Sequence, residues 1–87
     1  MTTITIQYDT SVYVPAGWRS IEITAKAEQT SQKMASVIEV LAIDGEEPRG
    51  YTSRTGAKRQ TYHASGIAKR EIGKRKRLSS CRVLESV

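Results

Sequence analysis

The strongest constraint on the fold is a strict alternation of apolar and polar residues near the start of the chain. Residues 2–8 place Ile, Ile and Tyr between single polar residues, and residues 18–25 resume the same alternation. A period of two places successive side chains on opposite faces of a β-strand. Turn-forming residues occupy positions 9–11 and 15–17, so we predict an antiparallel hairpin or meander with breaks at both places.

Residues 31–42 fit two interpretations. Their apolar positions include Met34, Val37, Ile38 and Leu41, which have the spacing of an amphipathic helix. We favour a helix on this ground. The alternative is a buried strand over residues 37–43 that ends at the Asp44-Gly45 turn, because this stretch is dense in β-branched residues.

The charges divide the chain into two halves of opposite sign. Residues 1–48 carry three basic and seven acidic residues, a net charge of −4. Residues 49–87 carry eleven basic and two acidic residues, a net charge of +9, which gives the +5 of the whole chain. A segment this basic attracts polyanions, so we expect the second half to bind nucleic acid.

The length of 87 residues fits a single domain, residues 1–87, with a small core. We predict the α+β class, with an antiparallel sheet of about three to five strands and one or two short helices. The second half is predicted to supply a loop over residues 51–56, a short strand over 58–62, a helix over 64–72 that ends at Gly73, and a closing strand that contains Cys81, Val83 and Val87.

Cations of the second half are interleaved with aromatic residues, as nucleic-acid binding requires. Lys and Arg neutralise phosphates and release counterions, and planar side chains stack on unpaired bases. We assign the stacking role to Tyr62. The alternative to nucleic-acid binding is that the cations form a solvated basic face that only keeps the protein soluble. The predicted nucleic-acid-binding residues are Arg49, Arg54, Lys58, Arg59, Tyr62, Lys69, Arg70, Lys74, Arg75, Lys76 and Arg77.

The acidic half has two interpretations of its own. Its carboxylates form either a plain solvated surface or a face that docks on basic residues of a partner protein. For the docking interpretation we assign Asp44, Glu46 and Glu47. Trp18 is expected to be a core residue or an interface anchor.

Residues suited to catalysis or metal binding are scarce. The chain has one His and one Cys, His63 and Cys81, which are too few for a structural zinc site. A free Cys in a strand is usually a small buried hydrophobe. We therefore expect no enzyme activity, no metal or other cofactor and no small-molecule substrate, with a nucleophilic Cys81 as the third hypothesis.

The membrane-spanning, collagen-like and disulfide-scaffold classes are also excluded on composition. No apolar run approaches the roughly 18 residues of a membrane-spanning helix, so no membrane partner is expected. One cysteine cannot form an internal disulfide, which suits a reducing cytoplasm.

Part of the second half resembles an RNA-binding protein. Residues 55–59 (Thr-Gly-Ala-Lys-Arg), 65–70 (Ser-Gly-Ile-Ala-Lys-Arg) and 73–75 (Gly-Lys-Arg) resemble the rRNA-binding core of a small basic protein of the bacterial large ribosomal subunit. The acidic first half has no counterpart there. The resemblance implies phosphate contacts on RNA by Lys58, Arg59, Lys69, Arg70, Lys74 and Arg75.

In general character the chain also resembles the anti-CRISPR proteins of bacteriophages, which are small and cofactor-free. That group has no common fold or signature, so the resemblance assigns no residue. It implies stoichiometric binding to an RNA-guided effector complex, such as a CRISPR surveillance complex, in the cytoplasm of a bacterial host. We therefore expect a phage-type inhibitor that blocks nucleic-acid recognition or nuclease recruitment, and the alternative is a general RNA- or DNA-binding accessory protein.

Overall fold

An antiparallel sheet forms the centre of the fold, as the alternation in the first strand predicts. The computed structural model describes residues 2–14, 17–47, 52–55, 58–61 and 64–86. In chain order its elements are β1 (Thr2–Val14), β2 (Gly17–Gln29), β3 (Met34–Ile43), β4 (Thr52–Thr55), β5 (Lys58–Thr61), α1 (Ala64–Glu71), β6 (Arg75–Arg77), a short 3₁₀ helix (Leu78–Ser80) and β7 (Arg82–Ser86).

Within the described residues, five strands form one sheet in the order β6-β3-β2-β1-β7, and every pair in it is antiparallel. β4 and β5 pair with each other in a separate two-stranded ribbon. The described fold is thus mostly β, with little helix, and fits the predicted α+β class only loosely. No helix in the described part of the chain is long and apolar enough to cross a membrane.

β1 and β2 pair along their whole length, from Thr2 opposite Gln29 to Val14 opposite Gly17. The break predicted at residues 9–11 is wrong, because β2 continues to offer backbone partners to all three of these residues. Their turn-forming side chains are overridden by an uninterrupted hydrogen-bond ladder.

A strand replaces the helix that we favoured over residues 31–42. β3 occupies most of this stretch, so the helix prediction is wrong and the alternative, a strand that ends at Asp44-Gly45, is confirmed. Asp44 and Gly45 have φ angles of 51° and 79°, and positive values at both positions are what a type I′ turn requires.

Two β-bulges in β3 explain why its apolar residues have the spacing of an amphipathic helix. The register with β2 shifts twice, and each shift leaves one residue of β3, Ile38 or Leu41, without an opposite partner. Both side chains are exposed, whereas Val37, Val40 and Ile43 are buried. Each bulge adds a residue, so buried positions recur at every third residue instead of every second.

The second half matches its predictions in part. The prediction of a loop over residues 51–56 is wrong at residues 52–55, which form β4. There Thr52 pairs with Thr61 of β5, and Thr55 pairs with Lys58. The predicted short strand and helix are confirmed as β5 and α1. The closing strand is confirmed as β7 around Val83, whereas Cys81 precedes it and Val87 lies outside the described residues. β6 is a strand that the sequence did not predict.

One face of the five-stranded sheet is buried, and α1 packs on it beside β3. Gly73 has a φ of 88°, which lets the chain turn back after the helix and confirms its predicted role. Its N–H donates to the Val37 carbonyl at 2.8 Å, and the Val37 N–H donates to the Lys74 carbonyl at 3.0 Å. The buried apolar residues are Ile4, Ile6, Tyr8, Val12, Ile21, Ile23, Ala25, Ala27, Ala35, Val37, Val40, Ile43 and Ile67.

The bulged geometry predicts that alanine substitutions of two isoleucines change the stability by very different amounts. Ile6→Ala removes a fully buried side chain and should lower the free energy of unfolding by about 2–5 kcal/mol. Ile38→Ala, on the exposed bulge, should change it by no more than about 0.5 kcal/mol. Urea unfolding followed by circular dichroism measures both, and an equal loss in the two variants would contradict the bulged register.

Candidate nucleic-acid interface

A buried carboxylate organises the basic region. Glu71, the last residue of α1, is 3% exposed. Its Oε1 accepts a hydrogen bond of 2.6 Å from the Tyr8 hydroxyl and lies 3.6 Å from Lys76 Nζ, while its Oε2 lies 3.0 Å from Lys74 Nζ. Lys76 Nζ also lies 4.3 Å from the centre of the Tyr8 ring. These contacts offset the cost of burying the charge, and they join α1 to β1 and β6.

The ionisation of this cluster follows from its contacts. Burial by itself raises the pKa of Glu71, but the hydrogen bonds from Tyr8 and Lys74 and the charges of Lys74 and Lys76 together outweigh burial. The pKa of Glu71 therefore lies below its ordinary value of 4.5. Burial and the contact with Glu71 raise the pKa of Tyr8 far above its ordinary value, so the phenol keeps the proton that it donates.

The predicted cation run at residues 74–77 separates into two pairs of different roles. β6 places Lys76 opposite the buried Ala35, on the face that carries Glu71, and Lys74 reaches the same carboxylate. Strand alternation directs Arg75 and Arg77 to the other face, where both are exposed. Neither arginine forms an ion pair with a residue that the structure describes.

Outside residues 74–77, the described part of the chain has four more exposed cations, of which only Lys33 is shown to lie beside this pair. Lys69 and Arg70 of α1 belong to the predicted set and are exposed, whereas Lys33 and Arg82 are exposed cations that the prediction missed. Lys33 lies next to β6, because its carbonyl accepts a 2.8 Å hydrogen bond from the Leu78 N–H. The turn between β2 and β3 thereby brings a cation of the acidic half to the basic region.

A cleft of about 1040 Å³ opens between that turn and the short 3₁₀ helix. A smaller cleft of about 310 Å³ adjoins it and shares two of its lining residues, and we call the two together the basic cleft. Among the described residues its lining includes three cations and no acidic residue. The lining of the larger cleft is Ser31, Gln32, Lys33, Met34, Arg77, Leu78 and Ser79, and the smaller one adds Thr30, Ser36 and Arg75.

The remaining predicted binding residues lie elsewhere in the chain. Arg49 and Tyr62 are outside the described residues. For Arg54, Lys58 and Arg59 the structure gives the backbone register of the β4–β5 ribbon, in which Arg54 is opposite Arg59. Their predicted contacts with nucleic acid stay predictions.

The acidic turn after β3 contains the three predicted docking residues, which differ in their contacts and exposure. Asp44 accepts a 2.8 Å hydrogen bond from the Glu22 N–H and lies 3.3 Å from Arg19 Nη2, so it has a role inside the fold. Glu46 and Glu47 are exposed. Trp18 is 73% exposed, so of the two roles considered for it the core position is wrong.

The acidic turn and the basic cleft lie at opposite ends of β3. Met34, at the start of the strand, pairs with Arg77, whereas Ile43, at its end, pairs with Glu46. Ten residues of β-strand separate the two ends by about 30 Å. Glu46 and Glu47 are therefore separated along this strand from the three cations of the basic cleft.

Comparison with protein-family models, with curated proteins and with solved structures finds no match to this chain. The roles of its residues rest on its own geometry. The resemblances to a ribosomal protein and to anti-CRISPR proteins stay predictions.

The Glu71 cluster predicts a stability loss in acid. Because the pKa of Glu71 is lower in the folded than in the unfolded chain, its stabilising contribution is complete above about pH 4.5 and is lost as the pH falls through the folded-state pKa. Glu71→Gln should lower the free energy of unfolding by about 1–3 kcal/mol at neutral pH and flatten its dependence below about pH 4.5.

Urea unfolding of the wild type and of Glu71→Gln at a series of pH values measures this effect. The matched control is Glu39→Gln, since Glu39 pairs with Lys26 on the surface, with 3.9 Å between Lys26 Nζ and Glu39 Oε1. The control should keep the wild-type pH profile. An unchanged profile in Glu71→Gln would show that the buried contacts do not stabilise the carboxylate.

Proposed function

We propose that this protein is a non-enzymatic binder of RNA or of a ribonucleoprotein complex, and that the basic cleft faces the RNA. The observation that carries the proposal is the group of cations at the cleft, Lys33, Arg75 and Arg77, which form no ion pair with a described residue. Cations that have no internal partner keep their full charge available for phosphate groups. Lys69 and Arg70 are further exposed cations, on α1.

The chemistry of the one cysteine supports a non-enzymatic role. Burial raises the pKa of the Cys81 thiol, although the charge of Lys76 opposes this shift. A nucleophilic cysteine requires a thiolate, which a raised pKa disfavours. His63, the other residue of the enzyme hypothesis, lies outside the described residues.

The separation of the two charged ends favours a target that presents both RNA and protein. A ribonucleoprotein offers phosphates to the basic cleft and basic side chains to Glu46 and Glu47 at the other end of β3. A small protein seated in this way obstructs the path of a nucleic acid or of a nuclease subunit. This is the action of a phage-type inhibitor of an RNA-guided complex, such as a CRISPR surveillance complex in a bacterial cytoplasm.

A general RNA- or DNA-binding accessory protein is the second candidate. The exposed cations support it equally well, but it gives the acidic turn no role. The two candidates therefore differ in whether binding to the target survives removal of accessible nucleic acid.

Capture of the target from a bacterial lysate that contains RNA-guided complexes separates the two candidates. The tagged protein should recover a defined multi-subunit complex, at a one-to-one ratio, both with and without nuclease treatment. A complex protected by its protein subunits keeps its guide RNA during this treatment. Recovery of mixed proteins that disappear on nuclease treatment would favour the accessory binder instead.

Charge reversal at the acidic turn tests the protein-docking role. Glu46→Lys/Glu47→Lys should weaken capture of the complex about tenfold, because like charges would then face the partner. It should leave binding to free RNA unchanged or slightly stronger. The matched control is Asp9→Lys/Glu39→Lys, which makes the same charge change at exposed positions of β1 and β3. Equal loss of capture in both variants would contradict a specific role for the turn.

A further inference from the structure

We infer that the basic cleft is a binding site for a single-stranded segment of RNA, with phosphates on Lys33, Arg75 and Arg77 and one base against Met34 and Leu78. The inference rests on the proposed function and specifies which part of the surface holds the nucleic acid and in what form. Its basis is a cleft with Met34 and Leu78 in its lining and three cations that form no ion pair with a described residue.

The walls of the cleft are held in place by the backbone. The turn between β2 and β3 is closed by hydrogen bonds of 3.0 and 3.3 Å from the Thr30 and Ser31 N–H groups to the Met34 carbonyl. The opposite wall is fastened to it where the Leu78 N–H donates to the Lys33 carbonyl. A site ordered before binding loses less conformational entropy when the ligand arrives.

The electrostatics favour an anion with more than one charge. Arg75 and Arg77 project from the same face of β6, two residues apart, so their Cα atoms are spaced along the strand by about 7 Å. Two cations on one face of a strand can contact more than one phosphate of the same nucleic-acid strand, which releases more than one counterion. Lys33 adds a third cation from the facing wall.

The remaining lining suits a nucleoside. Met34 and Leu78 are half-buried and offer apolar surface to a base, and the cleft is at the upper end of the volumes that small-ligand sites have. Ser31, Gln32 and Ser79 supply hydroxyl and amide groups that can bond to a ribose 2′-hydroxyl or a base edge. An unpaired strand fits such a cleft, because its bases are free to turn into it.

The first test compares two double variants that remove the same charge. Fluorescence anisotropy with a labelled single-stranded RNA of about 12 nucleotides measures affinity over a series of salt concentrations. Lys33→Gln/Arg77→Gln should raise the dissociation constant about tenfold and reduce the slope of its logarithm against the logarithm of salt by about 1.4, or 0.7 for each lost phosphate contact. Lys69→Gln/Arg70→Gln, on α1, is the matched control and should have the smaller effect.

The second test does not depend on variants. The same RNA with 4-thiouridine at one position is cross-linked to the wild-type protein by light, and the modified peptide is identified by mass spectrometry. Cross-links should fall on residues 31–34 or 77–79. Cross-links confined to α1 would overturn the inference.

The outcomes distinguish this inference from the proposed function. If the wild type binds the RNA and the cleft variant loses no more affinity than the α1 variant, the cleft is not the site, although the protein still binds RNA. If the wild type does not bind the RNA, the inference fails, and capture of a ribonucleoprotein from lysate decides the proposed function separately. A single-stranded DNA of the same sequence that binds as tightly as the RNA would overturn the assignment to RNA.

Discussion

The burial of one carboxylate fixes the relation between the helix and the sheet. Glu71 is almost completely buried, so its negative charge needs partners inside the protein. Tyr8, Lys74 and Lys76 supply them through a hydrogen bond and two ion pairs. Those three residues come from β1, from the chain after α1 and from β6. A displacement of any of these parts would remove a partner from a buried charge, so this contact, together with the pairing to β3, fixes the placement of β6.

That placement decides which cations are available for binding. β6 has alternating faces, so fixing Lys76 toward Glu71 directs Arg75 and Arg77 to the opposite side. The basic sequence is thus divided between a structural role and a surface role by strand geometry. Removing all four cations of residues 74–77 at once would disturb the fold and the binding surface together, and only the two arginines report on binding alone.

The sequence predicts the first two strands well because their alternation is regular and each has a long partner. It fails at β3, where the two bulges at Ile38 and Leu41 change the spacing of buried residues from two to three. No local preference of these residues indicates a bulge, since it depends on the register with β2. The break expected at residues 9–11 failed for the same reason, because the partner strand overrides local turn preference.

The sequence predicts which type of residue forms the candidate site, but not which of these residues come together in space. The clustering of cations in the second half identified Arg75 and Arg77, but Lys33 is far from them in the sequence and reaches them only through the pairing of β3 with β6. The sequence also does not predict that Glu71 is a buried carboxylate that holds α1, β1 and β6 together. Its spacing of three residues from Lys74 is the one local signal of an ion pair.

The outer edge of the sheet at β6 also affects how copies of this protein meet. An edge strand offers unpaired backbone groups that can join a second sheet, which leads to aggregation. Here the edge has only three residues, Arg75, Lys76 and Arg77, and each carries a positive charge. Two copies approaching along this edge would bring their four arginine charges together, so the residues that attract a polyanion also keep the sheet from growing.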